Sequence, residues 1–352
     1  MHITTLGIDL AKSVFQLHGV DAEGSVVLRK TLRRAAVLDF LRTLPPCLIG
    51  MEACASSHHW AREIAALGHE VRLIPPAYVK PYIKRQKNDA ADAEAICEAV
   101  TRPSMRFVPI KSPEQQSVLM LHRARDLLMR QRTMLLNAVR AHLAEFGIIT
   151  AQGPAKVLDL VARLRAGDPL GVPDIVRSAL LGMAAQLDGL ALGIRALERQ
   201  LLAWHRSNAA SQRLETIPGV GLITATALAA SVPDPQVFRS GRQFAAYLGL
   251  VPRQNSSGGK ERLGHISKMG NGTLRRLLVV GATSVIRRAG SNPTRTGAWV
   301  RSLLERKPAR LPTVAVANSE RGGATGSSAP RTARVAWAVL ARGEGYRSGA
   351  LA

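Results

Sequence analysis

The segment ITTLGIDLAKSVFQLHGVDAEGSVVLRKT, residues 3–31, decides the fold of the N-terminal part of the chain. It contains three short runs rich in apolar and β-branched residues, at positions 3–10, 14–20 and 25–31, which predict three strands. Turn-forming residues at positions 21–24 separate the second run from the third. The chain is therefore expected to begin with a strand that is followed by a β-hairpin.

The next residues alternate between helical and strand patterns. We predict helices at 35–44, 57–67 and 89–101, and strands at 47–51, 71–75 and 105–110. Three initial strands followed by this alternation indicate a mixed sheet flanked by helices, which is an α/β fold. We assign residues 1–112 to this first domain.

Helical patterns dominate the rest of the chain. Residues 113–146 and 183–204 have regularly spaced leucines, which are typical of a coiled coil and nearly as typical of ordinary antiparallel helix packing. Residues 150–174, which include three glycines, are expected to form a connecting region. We assign residues 113–206 to a helical coiled-coil linker and 207–352 to a mainly α-helical domain, in which 319–330 (SERGGATGSSAP) is predicted to be a flexible loop.

The charge of the chain indicates its partner. The formal net charge is +23 and the sequence pI is about 11.3, so a polyanion is needed to offset self-repulsion, and nucleic acid is the leading partner. Attraction to a ribosome-like or membrane surface is the alternative. Residues 235–352 carry 20 Lys and Arg against four acidic residues, a net charge of +16, so this part is expected to face phosphate groups.

The cysteine spacing and the hydrophobic segments indicate in which cellular compartment the protein acts. Cys47, Cys54 and Cys97 have no paired spacing, and there is no zinc-binding motif, so we expect neither a disulfide nor a zinc site. We find no secretion signal and no run of 18 uncharged apolar residues. The protein is therefore expected to be cytoplasmic, in a bacterial-type cell, and to meet DNA directly without a membrane.

Four carboxylates are candidates for a metal site. Asp9 ends the first predicted strand, Glu52 ends the fourth, and Asp89 and Asp92 share one face of a predicted helix. Mg²⁺ and Mn²⁺ take oxygen ligands, and two such ions about 4 Å apart can hold the attacking and leaving oxygens of a phosphodiester. The four carboxylates are therefore the type of ligand that a metal-dependent nuclease needs.

The helix also has a simpler interpretation. Asp89 is then an N-cap favoured by the helix dipole, and the other acidic residues of the helix form a solvated face. Asp9 and Glu52 argue against it, because they stand among apolar residues, where an unpaired charge is costly unless a cation compensates it. We therefore favour a ribonuclease-H-like metal nuclease core, with Glu94 and Glu98 as solvated face residues.

Residues 215–225, ETIPGVGLITA, predict a helix-hairpin-helix that spans about 214–232. Pro218, Gly219 and Gly221 allow a tight turn, whose N–H groups can hold a phosphate together with the N-terminus of the following helix. A plain helical turn without nucleic acid is the alternative.

Residues 248–278, LGLVPRQNSSGGKERLGHISKMGNGTLRRLL, combine two serines with many cations. Ser256 and Ser257 precede Gly258 and Gly259 in a segment that we interpret as flexible. An exposed serine there is a candidate nucleophile whose developing charge the cations stabilise, although the composition alone is more typical of a plain loop. The cations of the segment are Arg253, Lys260, Arg262, Lys268, Arg275 and Arg276.

The joint order of several short motifs carries a family resemblance over nearly the whole chain. The motifs are GIDLAK (7–12), MEA (51–53), KNDAADA (87–93), IPGVG (217–221), AYLGLVPR (246–253) and SSGGK (256–260). In this order the chain resembles the DEDD transposases of bacterial insertion sequences, the IS110 family, in its IS1111 subgroup. Residue Ala55, where a glycine is usual, and the stretch 319–330 depart from that pattern.

The resemblance implies a fold and a set of catalytic residues. It implies an N-terminal RuvC-like (ribonuclease-H-like) domain, a coiled-coil linker and a C-terminal transposase domain. Asp9, Glu52, Asp89 and Asp92 match the metal-binding tetrad of the family. Ser257, rather than its neighbour Ser256, matches the catalytic serine, which implies strand exchange through a 5′-phosphoserine intermediate.

The resemblance also implies partners. These are the element-end and target DNA, a structured non-coding guide RNA (a bridge RNA), and further copies of the chain in a dimer to tetramer. Residues expected to contact nucleic acid are Lys12, Lys84, Arg85, Lys87, Gly219, Gly221 and the six cations of residues 248–278. The alternatives are a Holliday-junction-type endonuclease that uses water and a non-catalytic regulator that binds nucleic acid.

Overall fold

A computed structural model describes residues 2–83, 88–289, 295–308, 310–318 and 332–346. The chain forms two compact units, of which the first comprises Met1–Gln116 with Val232–Val237 and the second comprises Ser117–Ser231 with Phe238–Ala352. The predicted nucleic-acid contacts Lys84, Arg85 and Lys87 lie outside the described residues, as does the predicted loop 319–330. The division into three sequence regions stays a prediction.

The first unit contains the predicted mixed sheet. Its strands are β1 (Thr5–Leu10), β2 (Val14–Val20), β3 (Val26–Arg33), β4 (Leu48–Glu52) and β5 (Glu70–Ile74). Their order is β3-β2-β1-β4-β5, in which β1, β2 and β3 pair antiparallel and β1, β4 and β5 pair parallel. The helices of the unit are α1 (Val37–Arg42), α2 (Ser57–Ala65), α3 (Pro76–Val79) and α4 (Asp89–Val100).

Two glycines allow helix α4 to pack directly on the sheet. A Cβ placed on Gly7 of β1 would lie 2.2 Å from the carbonyl oxygen of Ala93, and one placed on Gly50 of β4 would lie 2.8 Å from the Cβ of Val100. Backbone and side chain of α4 therefore occupy the space that a larger residue would need. This close approach brings the start of α4 to the end of β1.

The predicted strand at 105–110 is wrong. Among the described residues, this segment makes one isolated bridge, in which the N–H of Val108 donates to the carbonyl of Leu73 at 2.7 Å. Pro109 follows directly and has no N–H to continue a ladder, so pairing ends after one residue.

The second unit is mainly helical. Its long helices are α5 (Pro113–Glu145, which begins in the first unit) and α7 (Asp174–Ser207), with α6 (Pro154–Arg165) between them. It continues with α8 (Ala209–Glu215), α9 (Leu222–Ser231), α10 (Gly241–Tyr247), the strands β6 (Pro252–Gln254) and β7 (Leu263–Ile266), α11 (Gly272–Arg287), α12 (Arg295–Arg306), α13 (Arg310–Asn318) and α14 (Thr332–Arg342). This pattern of a mixed sheet followed by a helical part agrees with the coarse fold expected from the sequence.

Helix α6 corrects the expectation of a connecting region at 150–174. Val157, Leu160, Val161 and Leu164 are buried on one side of it, and most of them join a hydrophobic cluster with α5 and α7. Their spacing of three, four and seven residues is that of an amphipathic helix. The flanking glycines obscured this pattern, although they only end the neighbouring turns. Helix α7 also begins earlier than predicted, at Asp174.

Helix α7 is long and apolar enough to span a membrane by length and composition alone, as judged over the described residues. Leu180 and Leu187 on it pack in the cluster shared with α5 and α6. Leu201 packs near Val118 of α5 and Ala230 of α9. These three buried leucines pack α7 against other helices of the second unit.

Candidate metal centre and serine hairpin

The first unit brings two carboxylates to one edge of the sheet. Asp9 lies near the end of β1 and Glu52 ends β4, and the two strands run parallel with Ile8 opposite Met51. Because the carboxyl ends of parallel strands meet at one edge, the next residues of both strands are neighbours there. Ile8 and Met51 are completely buried, so the polar edge is fixed by the core beneath it.

The first turn of α4 adds two more carboxylates. Asn88 is the N-cap, and its side chain accepts a hydrogen bond from the N–H of Ala91 at 2.7 Å. The alternative interpretation of Asp89 as the N-cap is therefore wrong, since Asn88 already performs that task. Asp89 and Asp92 follow in the first turn, where the helix dipole favours negative charge.

Three of the four carboxylates converge. One oxygen each from Asp9, Asp89 and Asp92 lies within 4.8 Å of the others, among the described residues. Oδ1 of Asp92 is buried and has no hydrogen-bond partner in the described part of the chain. A buried acceptor without a partner is costly, and a hard divalent cation takes carboxylate oxygens at this kind of spacing. The residues present therefore fit a metal ion.

The electrostatics of Asp9 point the same way. Burial is the main cause that raises the pKa of Asp9 to about 6, and the charges of Asp92, Asp89 and Glu52 add to it. A hydrogen bond from the backbone of Leu10 lowers it by less. Glu52 contributes charge to the cluster but no oxygen to the three that lie within 4.8 Å. The carboxylates of the cluster thus repel one another, and a bound cation would reduce this repulsion.

Glu98 and Lys12, two further residues of this unit singled out in the sequence, lie at the surface. Glu98 forms an ion pair with Arg102 one helical turn later, in agreement with its interpretation as a face residue. Lys12 is exposed between β1 and β2. Sequence reasoning missed Asn88, although an Asn directly before an acidic helix start is a capping signal.

In the second unit, the two serines lie near the tip of a β-hairpin, and the expected flexibility of this segment stays a prediction. Strands β6 and β7 pair antiparallel, and the N–H of Lys260 donates to the carbonyl of Ser257 at 3.1 Å across the tip. Gly258 and Gly259, with φ of 55° and 74°, are the two central residues. Positive φ at both central positions is the signature of a type I′ turn.

The hairpin distinguishes the two serine hydroxyls. Oγ of Ser256 accepts a hydrogen bond from the N–H of Arg262 at 3.1 Å, which ties it to the opposite strand. Among the described residues, the hydroxyl of Ser257 makes no hydrogen bond, and the residue is exposed. Ser257 is therefore the serine whose hydroxyl is available to a substrate.

The cations of this segment divide into two groups. Lys260 lies directly opposite Ser257, so the two side chains share a face of the hairpin, and Arg262 follows on that face two residues later. Arg275, by contrast, donates to the carbonyls of Leu248 and Met269 at 2.9 and 3.1 Å.

The other cations also differ in their surroundings. Arg276 forms an ion pair with Asp126 of α5, a partner that sequence reasoning missed. Arg253 donates weakly to the carbonyl of Ser267 at 3.4 Å. Lys268 is exposed, with a φ of 55°.

The predicted helix-hairpin-helix corresponds to α8, a turn and α9. Gly219 has a φ of 84°, and a Cβ placed on it would lie 2.9 Å from the carbonyl oxygen of Gly281 in α11. Gly219 therefore has a packing reason besides any phosphate contact. Gly221 faces open space.

Comparison with known proteins agrees with the motifs. Residues 6–148 match a family model of DEDD transposases of the IS110 type, described as transposase, and residues 211–296 match the model described as the IS116/IS110/IS902 transposase family.

Relatives match over nearly their whole length. A probable family 20 transposase of Pseudomonas aeruginosa is 49% identical over 350 residues, which cover 99% of this chain and 100% of the relative. The transposase for insertion sequence element IS1111A of Coxiella burnetii is 39% identical over 348 residues, 99% and 92% of the two chains. The transposase for IS1328 of Yersinia enterocolitica is 40% identical over 342 residues, 97% and 98% of the two chains.

Proposed function

The chain belongs to the IS116/IS110/IS902 family of transposases, and on that premise we propose that it cuts and rejoins DNA strands with Ser257 as nucleophile and with Asp9, Glu52, Asp89 and Asp92 as metal ligands. The N-terminal unit is, in this proposal, of the RuvC-like type. The substrates are the element ends and the target DNA, selected by a structured RNA from the element, and the protein acts as a homo-oligomer in the bacterial cytoplasm, at nucleoid DNA.

The single observation that carries the proposal is the convergence of one oxygen each from Asp9, Asp89 and Asp92 within 4.8 Å, next to a buried oxygen of Asp92 that has no partner among the described residues. Such a set has little structural value without a cation, because its members repel one another. Mg²⁺ or Mn²⁺ held there would neutralise charge on a phosphodiester and its oxygens. Asp89 and Asp92 are fixed for this task by the Asn88 cap, and Asp9 by the buried residues of β1 that precede it.

The chemical step is assigned to Ser257. Its Oγ attacks the phosphorus, the Oγ–P bond forms as the P–O3′ bond breaks, and the hydroxyl proton leaves to solvent while O3′ takes one up. The phosphodiester energy is retained in the 5′-phosphoserine, so resealing needs no nucleotide cofactor. Lys260 and Arg262, on the face of Ser257, are suited to hold the non-bridging oxygens.

Two serine variants test the nucleophile. Wild-type protein, Mg²⁺, RNA transcribed from the non-coding flank of the element and labelled element-junction DNA are expected to give a covalent protein–DNA adduct that survives denaturation. Ser257→Ala should lose the adduct and strand cleavage, whereas Ser256→Ala, which removes only a hydrogen bond within the hairpin, should keep both.

Three results contradict the proposal. An adduct formed by Ser257→Ala means that another residue is the nucleophile. Cleavage without any adduct in wild type and in Ser257→Ala means that water attacks, as in a Holliday-junction-type endonuclease. Absence of all cleavage by wild type with its RNA and Mg²⁺ supports the non-catalytic regulator instead.

A further inference from the structure

The base of the serine hairpin, where residues 248–251 lie beside 267–270, orients the rest of the hairpin. The entering strand leaves the core at Leu248 and Leu250, which are completely buried, and the hairpin beyond them is exposed. Two backbone bonds join the strands at the base, from the N–H of Ser267 to Val251 at 2.8 Å and from the N–H of Lys268 to Gly249 at 3.1 Å. The contacts at the base therefore contribute to the orientation of this exposed ribbon.

The segment before β6 and the segment after β7 cross at this base, and their backbones are closer than side chains would allow. A Cβ placed on Gly249 would lie 2.2 Å from the carbonyl oxygen of Met269, and one placed on Gly270 would lie 1.8 Å from that of Tyr247. Both glycines have positive φ, 69° and 73°, as does Lys268 at 55°. Backbone thus packs on backbone, and the carbonyl oxygens at the crossing need donors that the strands themselves do not supply.

Arg275 supplies those donors from outside the hairpin. It lies in the first turn of α11, and its Nη1 donates to the carbonyl of Leu248 at 2.9 Å and to that of Met269 at 3.1 Å. One carbonyl belongs to the strand that enters the hairpin and the other to the strand that leaves it. Leu248 is also the C-cap of α10, where a cation is favoured by the helix dipole.

Helix α11 is a firm support for this contact. Leu274, Leu278 and Ala282 of α11 are buried, and the helix packs against α9 and α13. Asn271 caps its first turn by accepting hydrogen bonds from the N–H groups of Thr273 and Leu274, both at 3.1 Å. The guanidinium of Arg275 therefore starts from a fixed backbone position.

We infer that Arg275 is a positioning residue, which clamps both ends of the hairpin to α11 and so fixes the direction in which Ser257 is presented. Its guanidinium is then engaged with the protein and is not a phosphate contact, in contrast to the expectation from the sequence. The catalytic consequence rests on the proposed role of Ser257. The clamp itself can be measured by a method that does not depend on that role.

The clamp predicts a local change in Arg275→Gln. Amide hydrogen exchange, followed by mass spectrometry on peptides from 248–271, should become faster at the base of the hairpin and stay unchanged elsewhere, since the lost bonds hold only this segment. Arg287→Gln, the same charge change at the exposed other end of α11, is the matched control and should leave the exchange of these peptides unaltered. Unchanged exchange in Arg275→Gln overturns the clamp.

The catalytic consequence is measured as the rate of adduct formation at saturating element-junction DNA. We expect a decrease of about 10²-fold in Arg275→Gln, a cost that a misplacement of about 1 Å can have, and a smaller one in Arg275→Lys, which keeps a positively charged nitrogen donor. DNA affinity and its salt dependence should match Arg287→Gln. A phosphate contact would instead weaken affinity and lower the salt slope by about one, which contradicts the inference.

The two proposals fail separately. An adduct formed by Ser257→Ala rejects the nucleophile and leaves the exchange result on Arg275 standing. Loss of the adduct in Ser257→Ala, together with a normal rate in Arg275→Gln, rejects the positioning role. Arg275→Lys serves as the readout if Arg275→Gln does not fold, because it retains the charge and a hydrogen bond at the base.

Discussion

The acidic cluster of the first unit and the serine hairpin of the second are built in opposite ways. The cluster is partly buried, negatively charged and fixed by core packing of α4 on β1. The hairpin is exposed, rich in cations and fixed by backbone turn geometry and by the contacts at its base. The difference teaches that the proposed cation site consists of partly buried carboxylates that repel one another, whereas the proposed phosphate site consists of exposed cations.

The largest expected effect concerns Asp92. Asp92→Asn should reduce strand cleavage by about 10³-fold or more, because in the proposed mechanism several kcal/mol of charge stabilisation would depend on a cation held by Asp92, and each 1.36 kcal/mol is about tenfold. The metal-free variant should unfold at a higher temperature than metal-free wild type, since the negative charge of Asp92 that repels Asp9 is removed.

Mg²⁺ alone provides a readout without DNA. At 100 times its dissociation constant it should stabilise wild type by about 2.7 kcal/mol, and it should do little for Asp92→Asn. Glu98→Gln, which removes a carboxylate of the same helix outside the cluster, is the control and should keep the response. An equal Mg²⁺ response in Asp92→Asn would show that no ion binds at this cluster.

The next largest effect concerns Gly7, where a substitution disturbs the packing of α4 on β1 and leaves the turn of the hairpin unchanged. Gly7→Ala should destabilise the first unit by about 3 kcal/mol, the upper range for overpacking, because the added Cβ would lie 2.2 Å from the backbone oxygen of Ala93. Denaturant unfolding measures the change. Since α4 must move away from β1, the stabilisation by Mg²⁺ should disappear as well.

Gly259→Ala is the counterpart in the hairpin. Its φ of 74° disfavours a Cβ by about 1–2 kcal/mol, but nothing lies within 4 Å of the added atom. Global stability should therefore fall by no more than this amount and the Mg²⁺ response should stay unchanged, while adduct formation slows. Loss of the Mg²⁺ response in Gly259→Ala, or its retention in Gly7→Ala, would break the comparison between the two regions.

The smallest effect is a pH dependence in the second unit. Burial, with the nearby Arg125 as a lesser cause, lowers the pKa of His122 to about 4 from its usual 6.5, and its Nε2 is 3.0 Å from the hydroxyl of Thr226. Neutral His122 is therefore favoured in the folded state. Its contribution is present above pH 6.5 and is lost as the pH falls towards 4, because the unfolded chain takes up the proton first.

Between pH 7 and 5 this group should cost wild type about 2 kcal/mol of the free energy of unfolding. Denaturant unfolding of wild type and His122→Gln at both pH values measures the loss. The glutamine side chain can still bond to Thr226 but does not titrate, so the variant should lose less. Equal losses in the two proteins would mean that His122 does not titrate on unfolding.

Local patterns predicted most of the elements but not all their limits. The three initial strands, the alternating part and the long helices follow from periodicity, which reports which side of an element is buried. Helix α6 was missed because glycines on both sides suggested a connection, and the strand at 105–110 was overpredicted because its apolar residues outweighed Pro109.

The site shows the same division. The residue types of the acidic cluster and the serine pair are visible in the sequence, and the IS110-family motifs identify the candidates among them. Sequence patterns did not distinguish Asn88 from Asp89 as the N-cap, and they did not reveal that Arg275 and Arg276, which stay predicted nucleic-acid contacts, also bond to the protein. Charge is readable from the sequence, but the partner of a charge is not.

The sequence by itself determined the composition, the net charge, the order of the motifs and the family, because these depend on residue identity along the chain. Only the tertiary structure decided that Gly7 lets α4 approach β1, that Oδ1 of Asp92 is left without a partner, and that Ser256 is tied down while Ser257 is not. These outcomes depend on contacts between residues distant in the chain or across a turn. Their free energies come from packing and desolvation, which no local pattern records.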